Sequence, residues 1–127
     1  MGDWNVDVDE ETNRLYLTLK GHLGAEAAEQ AADAVIDASA RLDPGFDEVN
    51  DMSEFEPAAS EAMEEIERGK RGIVENGVEA VCRVVAESTT GQMQFDRAGE
   101  GAEEYALAKA ESVEEAERLL DQRRQDA

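Results

Sequence analysis

The chain has 127 residues, of which 32 are Asp or Glu and 12 are Lys or Arg, so its formal net charge is −20. This length fits a single domain spanning residues 1–127, and a hydrophobic fraction of 41% supports a core of mainly aliphatic side chains. The composition argues against direct binding of nucleic acid, because no basic stripe is present, and no apolar run approaches the ~20 residues that span a bilayer.

The acidic residues are spread along the whole chain and alternate with regular apolar stripes, unlike a disordered segment. Self-repulsion of this size destabilises a compact protein in dilute buffer, whereas molar salt shortens the screening length to about 3 Å. The pattern is typical of the solvated surfaces of proteins from salt-loving archaea; the alternative is an acidic mimic of nucleic acid. We therefore expect a halophilic protein that attracts solvent cations at high salt.

The first third of the chain predicts two strands and a helix. Residues 6–9 and 14–20 alternate apolar and polar side chains, which predicts an antiparallel hairpin whose first strand lies at the edge of a sheet. From residue 25 to residue 42, alanine, valine and leucine recur every three or four positions, as on one face of a helix. Asp43-Pro44-Gly45 ends this helix.

The middle of the chain, residues 46–76, predicts a strand, an acidic turn and a helix. The strand, residues 46–52, contains poor strand formers such as Glu48 and Asn50, so we predict it from its position between two helices. Residues 53–57 form the turn. The helix that follows carries Met63 and Ile66 on its inward side, and Gly69 and Gly72 are expected to permit close packing or a bend.

The last third predicts two further strands and a closing helix. Residues 78–86 form a nearly continuous apolar run, which indicates a parallel strand covered by helices on both faces. A short helix is predicted at residues 93–98 and a strand at 105–110, and Ser112 with Glu115 forms a capping box that opens the last helix. Residues 122–127 are predicted to fray. This order of elements is typical of an α/β fold with a mostly parallel sheet.

No group of residues forms a catalytic or metal-binding signature. His22 is the only histidine, which excludes a histidine-based triad or a multi-histidine metal site, and we expect it in a solvated loop. Cys82 is the only cysteine, and we expect a buried thiol with Arg83 on the opposite face of the strand. The sequence therefore predicts a protein with no metal and no cofactor.

Carboxylates cluster in the middle of the chain, as the pair Asp47 and Glu48 and as the trio Asp51, Glu54 and Glu56. They lack the spacing of a calcium-binding loop. We therefore expect them to form a solvated face.

Three stretches together resemble the STAS domain, the SpoIIAA-like fold of bacterial anti-sigma-factor antagonists. They are the strand that ends in Lys20-Gly21, the sequence Asp51-Met52-Ser53-Glu54-Phe55, similar to the family's Asp-Leu-Ser-Gly-Val, and the closing strand and helix at 106–120. The resemblance covers roughly residues 4–120. It implies a mixed, mostly parallel sheet with about four covering helices and a core at about 4–121.

In those antagonists, the central strand leads to an Asp-Ser pair at the start of the next helix, and phosphorylation of the serine switches partner binding. Counted without gaps from Asp51, Ser60 stands at the serine position and Ala59 at the aspartate position. The resemblance thus implies Ser60, and then Ser53, as possible phosphorylation sites. The alternative is a helix-start serine that satisfies local backbone amides.

Two functions remain open, and an enzyme ranks third. The first is a non-enzymatic, cytoplasmic regulatory module that binds a protein partner through residues 53–60 and the following helix. Its predicted interaction surface consists of Asp51, Glu54, Phe55, Glu56, Pro57 and Glu61. The second is a carrier of a small ligand, a lipid or a nucleotide, in the crevice between sheet and helices, with Met93 and Phe95 beneath a glycine-spaced lid.

Overall fold

A computed structural model describes residues 2–56, 59–85 and 105–126. Five strands form one sheet: β1 Asp3–Asp9, β2 Arg14–Gly21, β3 Asp47–Phe55, β4 Ala80–Val84 and β5 Ala106–Ala110. Three helices lie in the described residues: α1 Ala25–Ala40, α2 Ser60–Glu75 and α3 Val113–Asp126. The predicted strands and longer helices are all present.

The strands lie in the sheet in the order in which they occur in the chain. The edge strand β1 pairs antiparallel with β2, and the pairs β2–β3, β3–β4 and β4–β5 are parallel. Successive crossovers in one direction place α1 and α2 on the same face of the sheet, and α3 covers the other face. The predicted mixed α/β architecture with one antiparallel edge is confirmed.

Each face of the sheet has its own apolar cluster. Leu15, Leu17 and Leu19 of β2 alternate toward α1 and α2, as the sequence predicted. On the α3 side, Cys82 packs with the alanines and valines of β4 and β5 and with Leu120 of α3. Cys82 is buried as expected; burial, followed by the charge of Glu115, raises the pKa of its thiol.

The two helices on the first face pack closely at their glycines. A Cβ built on Gly72 would come within 2.4 Å of Ile36 Cγ1, and one built on Gly69 would lie 3.3 Å from Val35 Cγ1. These glycines therefore serve close packing, one of the two roles expected from the sequence.

The central strand is longer than predicted. β3 continues to Phe55, which pairs with Gly21 of β2, so Ser53, Glu54 and Phe55 belong to a strand rather than to a turn. A register irregularity between Thr18 and Lys20 of β2 accompanies this extension. Residues 53–54 are polar, so their composition did not predict a strand. Pairing with β2 is what extends β3 through them.

The closing helix and the helix number also differ from the predictions. α3 continues to Asp126, past the point where fraying was predicted, and Arg124 Nη2 donates to the carbonyl oxygen of Asn13 at 3.0 Å. The described residues contain three helices rather than about four. The short helix predicted at residues 93–98 lies outside the described residues.

Candidate functional site

A cavity of about 40 Å³ lies between the sheet and the pair α1 and α2. Most of its wall is apolar, with contributions from β2, α1, α2 and β4, including Leu17, Leu19, Ala31, Val35, Ile66 and Val81. A single water needs roughly 10–15 Å³, so the space holds about three waters or a small molecule of similar size.

One wall of this cavity is polar and buried. Glu48 and Asn50 come from β3, Arg83 from β4 and Lys70 from α2, and each is at most 5% exposed. Alternation along β3 places residues 48 and 50 on the face that carries α1 and α2. Asn50 and Arg83 are register partners on neighbouring strands, so the two side chains lie side by side. We call these four residues the polar wall.

Two acceptors of the polar wall lack a donor among the described residues. Glu48 Oε2 and Asn50 Oδ1 are fully buried, and within residues 2–56, 59–85 and 105–126 neither has a hydrogen-bond partner. Leaving a buried polar group unsatisfied costs about 1–3 kcal/mol, and most such groups in proteins bind a protein group or an ordered water. Both residues line the cavity, so a molecule bound there could donate hydrogen bonds to them.

Burial controls the ionisation of Glu48. It raises the pKa of this carboxyl to about 7, even though the positive charges of Arg83 and Lys70 act to lower it. The carboxyl is therefore partly protonated near neutral pH, and its protonated form is a hydrogen-bond donor as well as an acceptor. The polar wall can offer both donors and acceptors to an occupant.

A second charged network lies on the opposite face of the sheet. Arg14 Nε donates to Asp47 Oδ1 at 2.7 Å and Arg14 Nη2 to Asp121 Oδ1 at 2.8 Å, while Arg124 Nε lies 3.0 Å from Asp47 Oδ2. Burial alone would lower the pKa of Arg14, but the bonds to Asp47 and Asp121 outweigh it and raise this pKa. The network joins β2 and β3 to α3, and we interpret it as structural.

The expectation that Asp47 and Glu48 form a solvated face is wrong. They are 3% and 2% exposed, and they point to opposite faces of the central strand. The sequence did not predict the polar wall, because its two cations, Lys70 and Arg83, lie 22 and 35 residues from Glu48 along the chain. The available signal was the set of polar residues in a strand predicted to be central.

The predicted interaction surface at the end of β3 is only partly assembled. Asp51 Oδ1 accepts hydrogen bonds from Ser53 N at 3.1 Å and from Ser53 Oγ at 2.8 Å, and this pair is half-buried. Glu54 is exposed and lies 3.6 Å from Lys20 Nζ. Phe55, in contrast, is buried in the core, so it cannot contribute an exposed apolar anchor.

The start of α2 holds the remaining predicted residues that can be placed. Ser60 is the first residue of α2 and is exposed, as are Glu56 and Glu61. The preceding residue, Ala59, provides no side-chain cap for the helix. Pro57 of the predicted surface and Met93 and Phe95 of the predicted ligand crevice lie outside the described residues.

Other candidate chemistry is sparse in the part of the chain that the structure describes. His22 is exposed, as expected. No cluster of three or more His, Cys, Asp or Glu residues suited to a metal ion occurs among the described residues. None of the helices in these residues combines the length and apolar character needed to cross a bilayer.

Comparison with known proteins gives the fold. No protein-family model matches the chain, and no curated protein matches it in sequence. A solved structure of an uncharacterised protein of the DUF3478 family from Shewanella loihica, with a SpoIIAA-like fold, superimposes with a TM-score of 0.67. The two are 16% identical over 94% of this chain and 93% of the other. The chain therefore has a SpoIIAA-like fold.

A second solved structure, that of Mglu, is 24% identical over 66% of this chain and 19% of the other, with a TM-score of 0.48. This partial superposition is too weak to support a conclusion about fold or function.

Proposed function

We propose that the protein is a non-enzymatic binding module that takes a small molecule into the cavity between the sheet and helices α1 and α2. The observation that carries this proposal is the polar wall, four buried polar or charged side chains at one side of an otherwise apolar cavity. A SpoIIAA-like fold supplies the scaffold, and the fold does not by itself specify a function.

The energetics of the polar wall support a role in binding. Burying charges is costly even when they are paired, and apolar residues of similar volume often stabilise a core as well or better. Here the cost includes two buried acceptors without donors among the described residues. Stability alone is a poor reason to keep such a wall, whereas a ligand that meets these groups would offset their desolvation.

Filling the cavity tests the proposal. Ala31→Leu places a larger side chain on the cavity wall, and Ala40→Leu is the matched control because Ala40 is exposed near the end of the same helix. A thermal-shift screen of small metabolite-like compounds in molar potassium chloride should find ligands that stabilise the wild type and Ala40→Leu.

The same compounds should fail to stabilise Ala31→Leu, because its cavity is occupied. Ligands that stabilise all three proteins equally would place binding elsewhere. A screen with no stabilising compound would contradict a binding function.

A second candidate function, regulated binding of a protein partner, is favoured by the position of Ser60. This hydroxyl is exposed at the beginning of α2, where the first-turn amides receive no cap from Ala59. A phosphate on Ser60 would meet free amides and the positive end of the helix dipole. The working surface would then comprise Asp51, Ser53, Glu54, Glu56 and Glu61, with Phe55 excluded by its burial.

A pull-down from a high-salt lysate tests this second function. Ser60→Glu and Ser60→Ala are compared, with Glu64→Gln as a control on the exposed side of α2. A partner whose recovery differs between the two Ser60 variants, but not with the control, supports a phospho-switch. Equal recovery with all variants would contradict it.

We also propose that the protein works in a salt-rich cytoplasm. Exposed carboxylates lie on β1, on α1 and on α2. Among them are Asp3, Asp7, Glu26, Asp33 and Glu75. In molar salt their mutual repulsion is screened, so these carboxylates serve solvation of the protein.

A further inference from the structure

We infer that the cavity takes a small neutral primary amide, an inference that rests on the binding function proposed above. The NH2 group of the amide would donate to Glu48 and Asn50 on the polar wall, and its short hydrocarbon part would contact the aliphatic wall. Two buried acceptors of the polar wall, rather than its charges, determine this choice of ligand.

The unsatisfied acceptors of the polar wall require a hydrogen-bond donor. Among the described residues, Glu48 Oε2 and Asn50 Oδ1 are buried and accept no hydrogen bond. They stand two positions apart on β3, so both side chains lie on the face of the strand that lines the cavity. The NH2 group of a primary amide has two hydrogens, one for each acceptor, whereas a carboxylate or a ketone has no hydrogen to donate.

The environment of Glu48 favours a neutral ligand. Burial is the largest influence on the pKa of this carboxyl and raises it to about 7, although Arg83 and Lys70 act to lower it. The cavity therefore disfavours a buried charge even beside two residues of opposite charge. A charged ligand would lose its hydration in the same way, and a neutral amide avoids most of that cost.

A primary amide suits both ionisation states of Glu48. When the carboxyl is ionised, it accepts from the NH2 group of the amide, and when it is protonated, its hydroxyl donates to the amide oxygen. An alcohol also donates and accepts, but it has one hydrogen for two acceptors. Because both forms of Glu48 are populated near neutral pH, an amide matches the wall better than an alcohol.

The size and lining of the cavity limit the rest of the ligand. About 40 Å³ holds roughly three waters, so the ligand has only a few non-hydrogen atoms. Beyond the polar wall the lining is mostly aliphatic, with Leu17, Val35 and Ile66 among its residues. A methyl or ethyl group suits this lining better than a sugar or a second polar group.

A titration with acetamide, acetone and acetate tests the inference. The three molecules have nearly the same shape, but only acetamide has hydrogens to donate and only acetate is charged. Binding is followed by ligand-observed NMR at fixed pH and potassium chloride concentration. Wild-type protein should bind acetamide about tenfold or more tightly than acetone or acetate, because those two give Asn50 Oδ1 no donor.

Variants of the two acceptors locate the contact. Asn50→Leu and Glu48→Met each remove one acceptor at similar side-chain volume, so each should weaken acetamide binding about tenfold and leave acetone binding unchanged. Glu54→Met is the matched control, because it removes an exposed carboxylate from the same strand and should change neither affinity. Ala31→Leu should abolish acetamide binding by occupying the cavity. Thermal unfolding establishes that each variant is folded, and the comparison of the three ligands on the wild type requires no variant.

The outcomes separate this inference from the function on which it rests. Acetone or acetate binding as tightly as acetamide, or unchanged acetamide binding in folded Asn50→Leu or Glu48→Met, would overturn the amide assignment. If acetamide does not bind but other compounds distinguish Ala31→Leu from Ala40→Leu, the assignment is overturned and the binding function stands. If no compound distinguishes those two variants, both are overturned.

Discussion

Asn50 and Arg83 are register partners on the parallel strands β3 and β4, and their side chains are buried together on the face that carries α1 and α2. A central position on a covered face ordinarily holds aliphatic residues. Here it holds an amide beside a guanidinium, with Glu48 two positions along the same strand. These three residues therefore give an otherwise apolar core one polar side.

Replacing Glu48 with Gln should change how stability depends on pH. Because the pKa of Glu48 is raised from 4.5 to about 7 in the folded protein, the protonated carboxyl favours folding. This contribution is fully present below pH 4.5 and is lost as the pH rises through 7, by about 3 kcal/mol in total. Glu48→Gln should lack this loss, so its free energy of unfolding should exceed that of the wild type above pH 7.

Chemical denaturation at several pH values checks this prediction, with Glu64→Gln as a control on the exposed side of α2. Among the described residues, Arg83 of β4 and Lys70 of α2 act on the pKa of Glu48, and both line the cavity with it. Parallel pH profiles for the wild type and Glu48→Gln would contradict a raised pKa.

Replacing Asp47 with Asn should strongly destabilise the protein. Asp47 accepts bonds from Arg14 and Arg124 on the α3 side of the sheet, and the Arg14–Asp47 pair is buried. Removing one member of a buried ion pair typically costs 3–5 kcal/mol, because an uncompensated charge remains. Equilibrium denaturation measures the loss.

Glu54→Gln is the matched control, since Glu54 pairs with Lys20 at an exposed position. Exposed pairs contribute about 0–1 kcal/mol, so this variant should unfold close to the wild-type denaturant concentration. Similar losses in both variants would mean that the buried network has no special role in joining α3 to the sheet.

The fold followed from the sequence where side-chain pattern and environment agree. The alternating leucines at 15, 17 and 19 and the apolar run of β4 both reflect which faces of the strand are buried. Both strands are where they were predicted. β3 was predicted from its position alone. Its residues Asp47 and Glu48 become compatible with a central strand only through distant cations on β2, α2, α3 and β4, and a local pattern contains no information about those contacts.

Replacing Gly72 with Ala should destabilise the protein although alanine is the better helix former. The added Cβ would meet Ile36 Cγ1 at 2.4 Å and Ile36 Cδ1 at 2.8 Å. Overpacking of this kind typically costs 1–3 kcal/mol, which exceeds the gain of about 1 kcal/mol in helix propensity. Thermal or chemical unfolding checks the sign.

A double-mutant cycle tests whether the contact with Ile36 causes this loss of stability. In an Ile36→Ala background the two clashing carbons are gone, so Gly72→Ala should become neutral or stabilising. Gly24→Ala serves as a control because no atom lies within 4 Å of a Cβ at that position. An equal cost of Gly72→Ala in both backgrounds would rule out the contact with Ile36 as the cause.

Raising the salt concentration should stabilise the protein. The screening length falls from about 10 Å at 0.1 M to about 3 Å at 1 M, so repulsion among the surface carboxylates weakens. The melting temperature should therefore rise steeply over this range of potassium chloride. Sucrose at matched osmolality controls for effects of solutes on burial without screening charge. A melting temperature that responds equally to sucrose and to salt would argue against a charge effect.

The most direct test of the binding cavity is a crystal structure of the protein grown with a saturating concentration of a ligand found by the thermal-shift screen. The account predicts density for one ligand inside the cavity, with a donor of the ligand within hydrogen-bond distance of Glu48 Oε2 or Asn50 Oδ1. A cavity that holds ordered water alone at saturating ligand, with Glu48 Oε2 and Asn50 Oδ1 both bonded to that water, would contradict it.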